Sequence, residues 1–291
     1  MLNRYAEDEG QNAGLPGAFR IIEHPGLYEG DPLEPFAWEE VCCRLVGSGS
    51  LQPFVHIWRH QRAMVLGLRD RRLPEAERAI ACLSQSGEHI AVRHSGGAAV
   101  PLDADVVNVT ILLPNPEGRM EHRPDFERMY RLLGGFIQET YGLRVHKGEV
   151  LGSYCPGDYD LSVNGRKFCG ISQRRQTRAF LVQAFILVEG TGSERAGRAK
   201  TFYNLAVGTE SEIPDKELDY PRIIPETMTS LSEAADEQIT ADEFICRFIR
   251  YLERLGGERK SFDEWGRSIS DLPSQVADMV VQLRERYDKH R

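Results

Sequence analysis

Apolar residues recur along this chain with two periods, and each change of period marks a new element. Between 35 and 46, Phe36, Trp38, Val41 and Leu45 predict a helix with Gly47 as its stop, and Cys42 and Cys43 sit inside it. Short apolar runs at 54–58 and 63–68 predict strands, followed by a helix that starts at Pro74 and ends near Gly87. Runs at 89–93 and 98–102 flank the turn residues Ser95, Gly96 and Gly97, and 106–113 predicts a buried strand. A helix from about 125 to 141 carries Phe126, Met129, Tyr130, Leu133, Phe136 and Ile137 at helical spacing, a stripe that reads as core.

The clearest local signal follows. Asn164-Gly165 separates the strand-like runs 159–163 and 166–173, which predicts a tight hairpin. Residues 178–189 form another apolar strand. The polar, glycine-bearing stretch 190–200 and the proline-rich, acidic stretch 212–225 predict a linker. Thr240 and Glu243 form a capping-box pattern opening a helix to about Leu255, and a last amphipathic helix runs through the 270s and 280s. The fold class expected is α+β: a mixed β-sheet flanked by helices, with a C-terminal helical tail. The division expected is an N-terminal extension over 1–34, a catalytic domain over 35–235 and a helical segment over 236–291.

Composition narrows the function. A balance of 36 basic against 44 acidic side chains gives −8, which argues against nucleic-acid binding as the main task. The polar stretch 1–17 does not read as a signal peptide, and no stretch approaches a membrane span. Cysteines at 42, 43, 82, 155, 169 and 246 lack CxxC spacing and disulfide density, which suits free thiols in the cytoplasm. Clusters at Arg69, Arg71 and Arg72 and at Arg174, Arg175 and Arg178 suit either docking of an acidic protein or plain solvation.

Among reactive residues, Cys155 stands in Gly152-Ser153-Tyr154-Cys155-Pro156-Gly157, where Pro156 biases the cysteine backbone toward extended geometry and the glycines break regular structure. A loop thiol is a candidate nucleophile, although most loop thiols are inert. Cys42, Cys82 and Cys246 read as structural residues inside helices. Only six of the 36 basic residues are lysines, so Lys167 beside Arg166 suggests a role that a permanently charged guanidinium cannot fill. An exposed strand lysine is the alternative. Strict alternation puts Lys167, Cys169 and Ile171 on one strand face, which makes Cys169 the rival nucleophile. No zinc spacing, Walker loop or dinucleotide fingerprint occurs, so no metal or cofactor is expected.

The segments Arg93-His94-Ser95-Gly96-Gly97, with Asp103 and Asn108, and 164–174 resemble in order and spacing the catalytic core shared by lipoate–protein ligases and octanoyltransferases. The loop at 152–161 looks more particularly like the Gram-positive octanoyltransferases that act on glycine cleavage H protein. The resemblance covers roughly 40–235 and implies the fold of biotin and lipoate protein ligases. It implies Cys155 as an acyl-thioester nucleophile and Lys167 as its catalytic partner. It also implies acyl-binding roles for Arg93, Ser95, Gly96, Gly97 and Gly170. The partners implied are octanoylated glycine cleavage H protein as donor and lipoyl domains of 2-oxoacid dehydrogenases as acceptors, with no role for nucleic acid or membrane. Two departures stand out: His94 occupies a place where ligases usually have arginine, and Cys169 one where a small uncharged residue is usual. The alternatives left open are transfer from acyl carrier protein, ATP-dependent ligation, and non-catalytic lipoyl-domain binding.

Overall fold

Hydrophobic periodicity becomes three packed layers in the computed structural model, which describes residues 14–208 and 218–287. The first half of the chain forms β1 (Phe19–Tyr28), α1 (Leu33–Gly47), β2 (Phe54–His60), β3 (Arg62–Leu66), α2 (Ala76–Gln85), β4 (His89–Val92), β5 (Val100–Asp103) and β6 (Val106–Pro114). Then come α3 (Arg123–Tyr141), β7 (His146–Lys147), β8 (Leu161–Val163), β9 (Arg166–Arg175), β10 (Ala179–Leu187) and α4 (Gly192–Val207). The chain closes with α5 (Leu231–Ala235), α6 (Ala241–Arg254), β11 (Gly257–Ser261), α7 (Phe262–Arg267) and α8 (Leu272–Tyr287).

An eight-stranded sheet runs in the order β11-β1-β2-β6-β10-β9-β8-β7, and a second sheet runs β4-β3-β5. The large sheet is mixed, because β1 pairs in parallel with both β2 and β11 while β2, β6, β10 and β9 pair antiparallel. Alternate residues therefore face opposite layers. On one face Val107, Val109 and Ile111 meet the apolar stripes of α3 and α6, where the Phe136 ring lies 5.3 Å from Phe244 and 4.9 Å from Phe248. On the other face, Leu112 and Leu181 pack against α1 and α8. The small sheet, α2 and α4 build a further core that includes Tyr154, Cys155 and Phe185. The loop carrying the candidate nucleophile is thus part of a core.

The expected mixed sheet with flanking helices is present, and the Asn164-Gly165 hairpin has consecutive left-handed residues at φ 51° and 76°. Thr240 caps α6 by accepting from the Glu243 backbone N–H. One expectation needs correction: 190–200 is no linker but mostly helix α4. Arg195, Ala196, Ala199, Phe202, Tyr203 and Ala206 bury one face of α4, and Thr191 accepts from the Glu194 N–H. The rest of the expected linker lies partly at 212–217, outside the described residues, and the start of the N-terminal stretch lies outside them as well. The boundaries expected near 34 and 235 coincide with no break in the sheet, since β1 and the charged strand β11 both belong to it.

The aromatic cluster predicts that Phe136→Ala lowers unfolding stability by about 3–5 kcal/mol in chemical denaturation, because a ring at its centre leaves a cavity that α3 and α6 cannot close.

Candidate active site

The Cys155 backbone lies in the left-handed region at φ 47°, not in the extended geometry expected before proline. Non-glycine residues adopt that conformation at a cost, and they hold it only where surrounding contacts enforce it. Those contacts are visible. The buried Lys167 ammonium donates to the carbonyl oxygens of Tyr154 (2.8 Å) and Cys155 (2.6 Å). It also pairs with Asp160 Oδ1 at 2.8 Å. Asp160 is fixed in turn by the backbone N–H of Val150 at 3.3 Å and the Ser153 hydroxyl at 3.5 Å. Burial pushes the Asp160 carboxyl upward, against the opposing pull of Lys167. One cation therefore ties the cysteine loop to β9.

A β-bulge puts Lys167 in this position. Adjacent residues Leu161 and Ser162 on β8 pair with Cys169 and Lys167, so Phe168 is the extra residue. Strict alternation fails here: Phe168 and Cys169 both enter the core beneath α3, while the Lys167 side chain reaches the other face beside Gly170. Cys169 is fully buried, and burial pushes its thiol up despite the pull of Lys167. The rival thiol is thereby on the wrong side of the sheet. Cys42 and Cys43 are also buried, whereas Cys82 and Cys246, read from sequence as interior, are exposed.

The Cys155 sulfur, in a residue only 8% exposed, accepts hydrogen bonds from Arg93 Nη2 at 3.3 Å and the Ala98 backbone N–H at 3.2 Å. Both donors fix where the sulfur sits. Arg93 further donates to the carbonyls of Gly96 (3.1 Å) and Ala98 (2.8 Å), so its guanidinium shapes the turn as well as facing the thiol. At Gly97, with φ 104°, a Cβ would overlap Arg93 and lie 2.8 Å from the sulfur, which restricts the position to glycine. At Gly170 a Cβ would run into the Phe185 ring. Gly96 faces open space, and Ser95 is buried with its hydroxyl making no hydrogen bond.

Cys155 and Gly170 open onto a pocket with about 450 Å³ of atom-free space, open solvent at its mouth included, whose apolar walls include Phe36, Trp58, Val65, Val100, Leu102 and Phe185. Sequence reading missed two buried acidic residues, adjacent on α1, of which Glu39 holds lining residues of this pocket. Glu39 accepts from His56 Nδ1 (2.8 Å), Trp58 Nε1 (3.1 Å) and Gln183 Nε2 (2.6 Å). Glu40 meets His94 at 3.0 Å and Arg174 at 3.2 Å. Burial alone would raise Glu40, but its interactions with His94 and Arg174 outweigh it and hold the carboxyl at about 2. The signal available was an acidic pair inside an otherwise apolar helix. Among the described residues no cluster of His, Cys, Asp or Glu could hold a metal, and no helix is long and apolar enough to cross a membrane.

Two outcomes test this geometry. Gly97→Ala displaces the sulfur from its donors, so alkylation of Cys155 by iodoacetamide, followed by peptide mass spectrometry, slows about tenfold. Because the Glu40 carboxyl is depressed in the folded state, its contribution is present above about pH 4.5 and is lost as pH falls toward 2. Thermal melts across that window show a steep loss on the order of 3 kcal/mol in the wild type and a flatter profile in Glu40→Gln.

Comparison with known proteins bears on the family and the fold. The family profile of the lipoyl protein ligase A/B catalytic domain matches residues 31–253. Octanoyl-[GcvH]:protein N-octanoyltransferase of Anoxybacillus flavithermus is 39% identical over 82% of this chain and 84% of its own length. The enzyme of the same name from Oceanobacillus iheyensis is 33% identical over 92% of each. Among solved structures, lipoate-protein ligase A bound with ATP shares the fold with a TM-score of 0.64 at 19% identity, covering 94% of this chain and 95% of that one. A bipartite lipoate protein ligase from Thermoplasma acidophilum gives 0.58 at 19% identity, over 94% of this chain and 92% of that one. The chain belongs to the lipoyl protein ligase A/B catalytic-domain family, among its octanoyl-[GcvH]:protein N-octanoyltransferase members.

Proposed function

We propose that this protein moves an octanoyl group from a lysine of octanoylated glycine cleavage H protein to a lysine of 2-oxoacid dehydrogenase lipoyl domains, through a thioester on Cys155. The observation that carries the reading is a sulfur at the mouth of an apolar pocket, held by two N–H donors, with a buried ammonium bonded to its own residue's carbonyl. The names of the relatives support the octanoyl group and the H-protein donor.

The Cys155 thiolate attacks the amide carbonyl of octanoyl-lysine, forming the C–S bond and a tetrahedral oxyanion. An amine leaves far less readily than a thiolate, so collapse requires a proton on the departing nitrogen. Lys167 supplies it by giving up one of its hydrogen bonds to the loop carbonyls, the C–N bond breaks, and the octanoyl thioester remains. Neutral Lys167 then takes the proton from the incoming lysine as its nitrogen bonds the carbonyl carbon and the C–S bond breaks. Asp160 orients Lys167 throughout. An amide is consumed and an amide is formed, so the exchange is close to balanced and needs no nucleotide. Each buried methylene contributes about 0.8 kcal/mol to binding, and the apolar walls limit access of water to the thioester.

ATP-dependent ligation would not need Cys155. Moreover His94, standing where ligases usually have arginine, is engaged with Glu40. The free thiols, including exposed Cys82 and Cys246, support a reducing cytoplasm as the working compartment.

Intact mass spectrometry after mixing with octanoylated H protein, without ATP, is expected to show an octanoyl adduct that Cys155→Ala abolishes and Cys169→Ala retains. Strict dependence of transfer on ATP, or an adduct that survives Cys155→Ala, would overturn the reading.

A further inference from the structure

The floor of the acyl pocket is unexpectedly polar. Strand register sorts it into rows. The first row, Trp58, Asn108, Phe185 and Gly170, crosses β2, β6, β10 and β9, and the cysteine loop sits on it: the Tyr154 ring stacks 5.6 Å from Phe185. The second row is His56, Thr110, Gln183 and Ser172, two residues along each strand and so about 6.6 Å farther. Thr110, Gln183 and Ser172 all line the pocket. The third row, containing Leu112, Leu181 and Arg174, lines none of it, and there Glu40 meets Arg174 and His94.

Gln183 is no adaptable side chain. Its Nε2 donates to Glu39 at 2.6 Å, and a carboxylate can only accept there, so the amide orientation is determined. Glu39 is itself fully buried and held by His56 and Trp58. Gln183 Oε1 is left pointing away from Glu39 with no hydrogen bond in the protein, and Asn108 Nδ2 in the first row likewise has none. Methylenes laid against such groups gain little from burial and strip them of any polar partner.

Resting on the octanoyl-transfer reading, we propose that Thr110, Gln183 and Ser172 form a polar stop that sets the length of the acyl chain. Up to the second row each methylene is buried against Trp58, Val65, Val100, Leu102 and Phe185. Beyond it, a longer chain meets a fixed amide and two hydroxyls. Specificity thus comes from a loss of apolar gain at one row.

Isothermal titration of the full-length protein with hexanoate, octanoate, decanoate and dodecanoate tests the stop without requiring any chemistry at Cys155. In the wild type, affinity rises about fourfold per methylene, hence about 15-fold from hexanoate to octanoate, and then ceases to rise. In Thr110→Val/Gln183→Leu the rise continues to decanoate. If that variant fails to melt cooperatively, because Glu39 loses a partner, Thr110→Val/Ser172→Ala keeps the Glu39 contacts and moves the break in the same direction. Wild-type affinity that keeps rising through dodecanoate, or a folded variant with an unchanged profile, overturns the stop alone. Absence of binding at every length overturns the acyl-pocket assignment and the stop with it, whereas loss of the Cys155 adduct with an intact break would refute only the thioester reading.

Discussion

A lysine ammonium with no solvent contact must find its hydrogen bonds inside the protein, and the acceptors that Lys167 finds define the site. Two are carbonyls of the cysteine loop and the third is Asp160, so every N–H of the cation is used. Burying an unpaired charge would cost many kcal/mol, and that cost makes the pairing obligatory once β9 has formed. The loop can then close only with Tyr154 and Cys155 against the ammonium. This constraint accounts for the left-handed Cys155 backbone, which a proline following it would otherwise disfavour.

The opposite side of the sulfur is built by an independent element. The turn after β4 folds back on Arg93, whose guanidinium bonds two of the turn's carbonyls and the thiol together. Glycine at 97 lets the sulfur approach that backbone. The candidate nucleophile therefore lies between two rigid supports from different sheets, and its position needs no movement of either. Such prior placement suits chemistry in which the same sulfur must receive and release an acyl group.

Beneath them, the large sheet separates two environments. Val107, Val109 and Ile111 face the aromatic core under α3 and α6, while Asn108 and Thr110 between them face the pocket. The buried carboxylates of α1 serve different neighbours: Glu39 orients Gln183, and Glu40 joins Arg174 to His94. An apolar pocket is thereby bounded by polar groups whose partners leave them little freedom.

Much of this was legible along the chain. The Asn164-Gly165 turn demanded left-handed backbone, the Thr240 cap announced α6, and the scarcity of lysine singled out Lys167, because each signal is local or compositional. Helix α4 went unread because its apolar face is built largely of alanine with a buried arginine, although Thr191 and Glu194 carried a start signal. The bulge at Phe168 could not be inferred from alternation, since it exists only in the pairing of β9 with β8. That single extra residue sends Cys169 into the core and Lys167 to the pocket. Residue types by themselves determined which groups could react. Only tertiary structure decided which of them meet, because register, burial and the closing of a loop on a cation arise between segments distant in sequence.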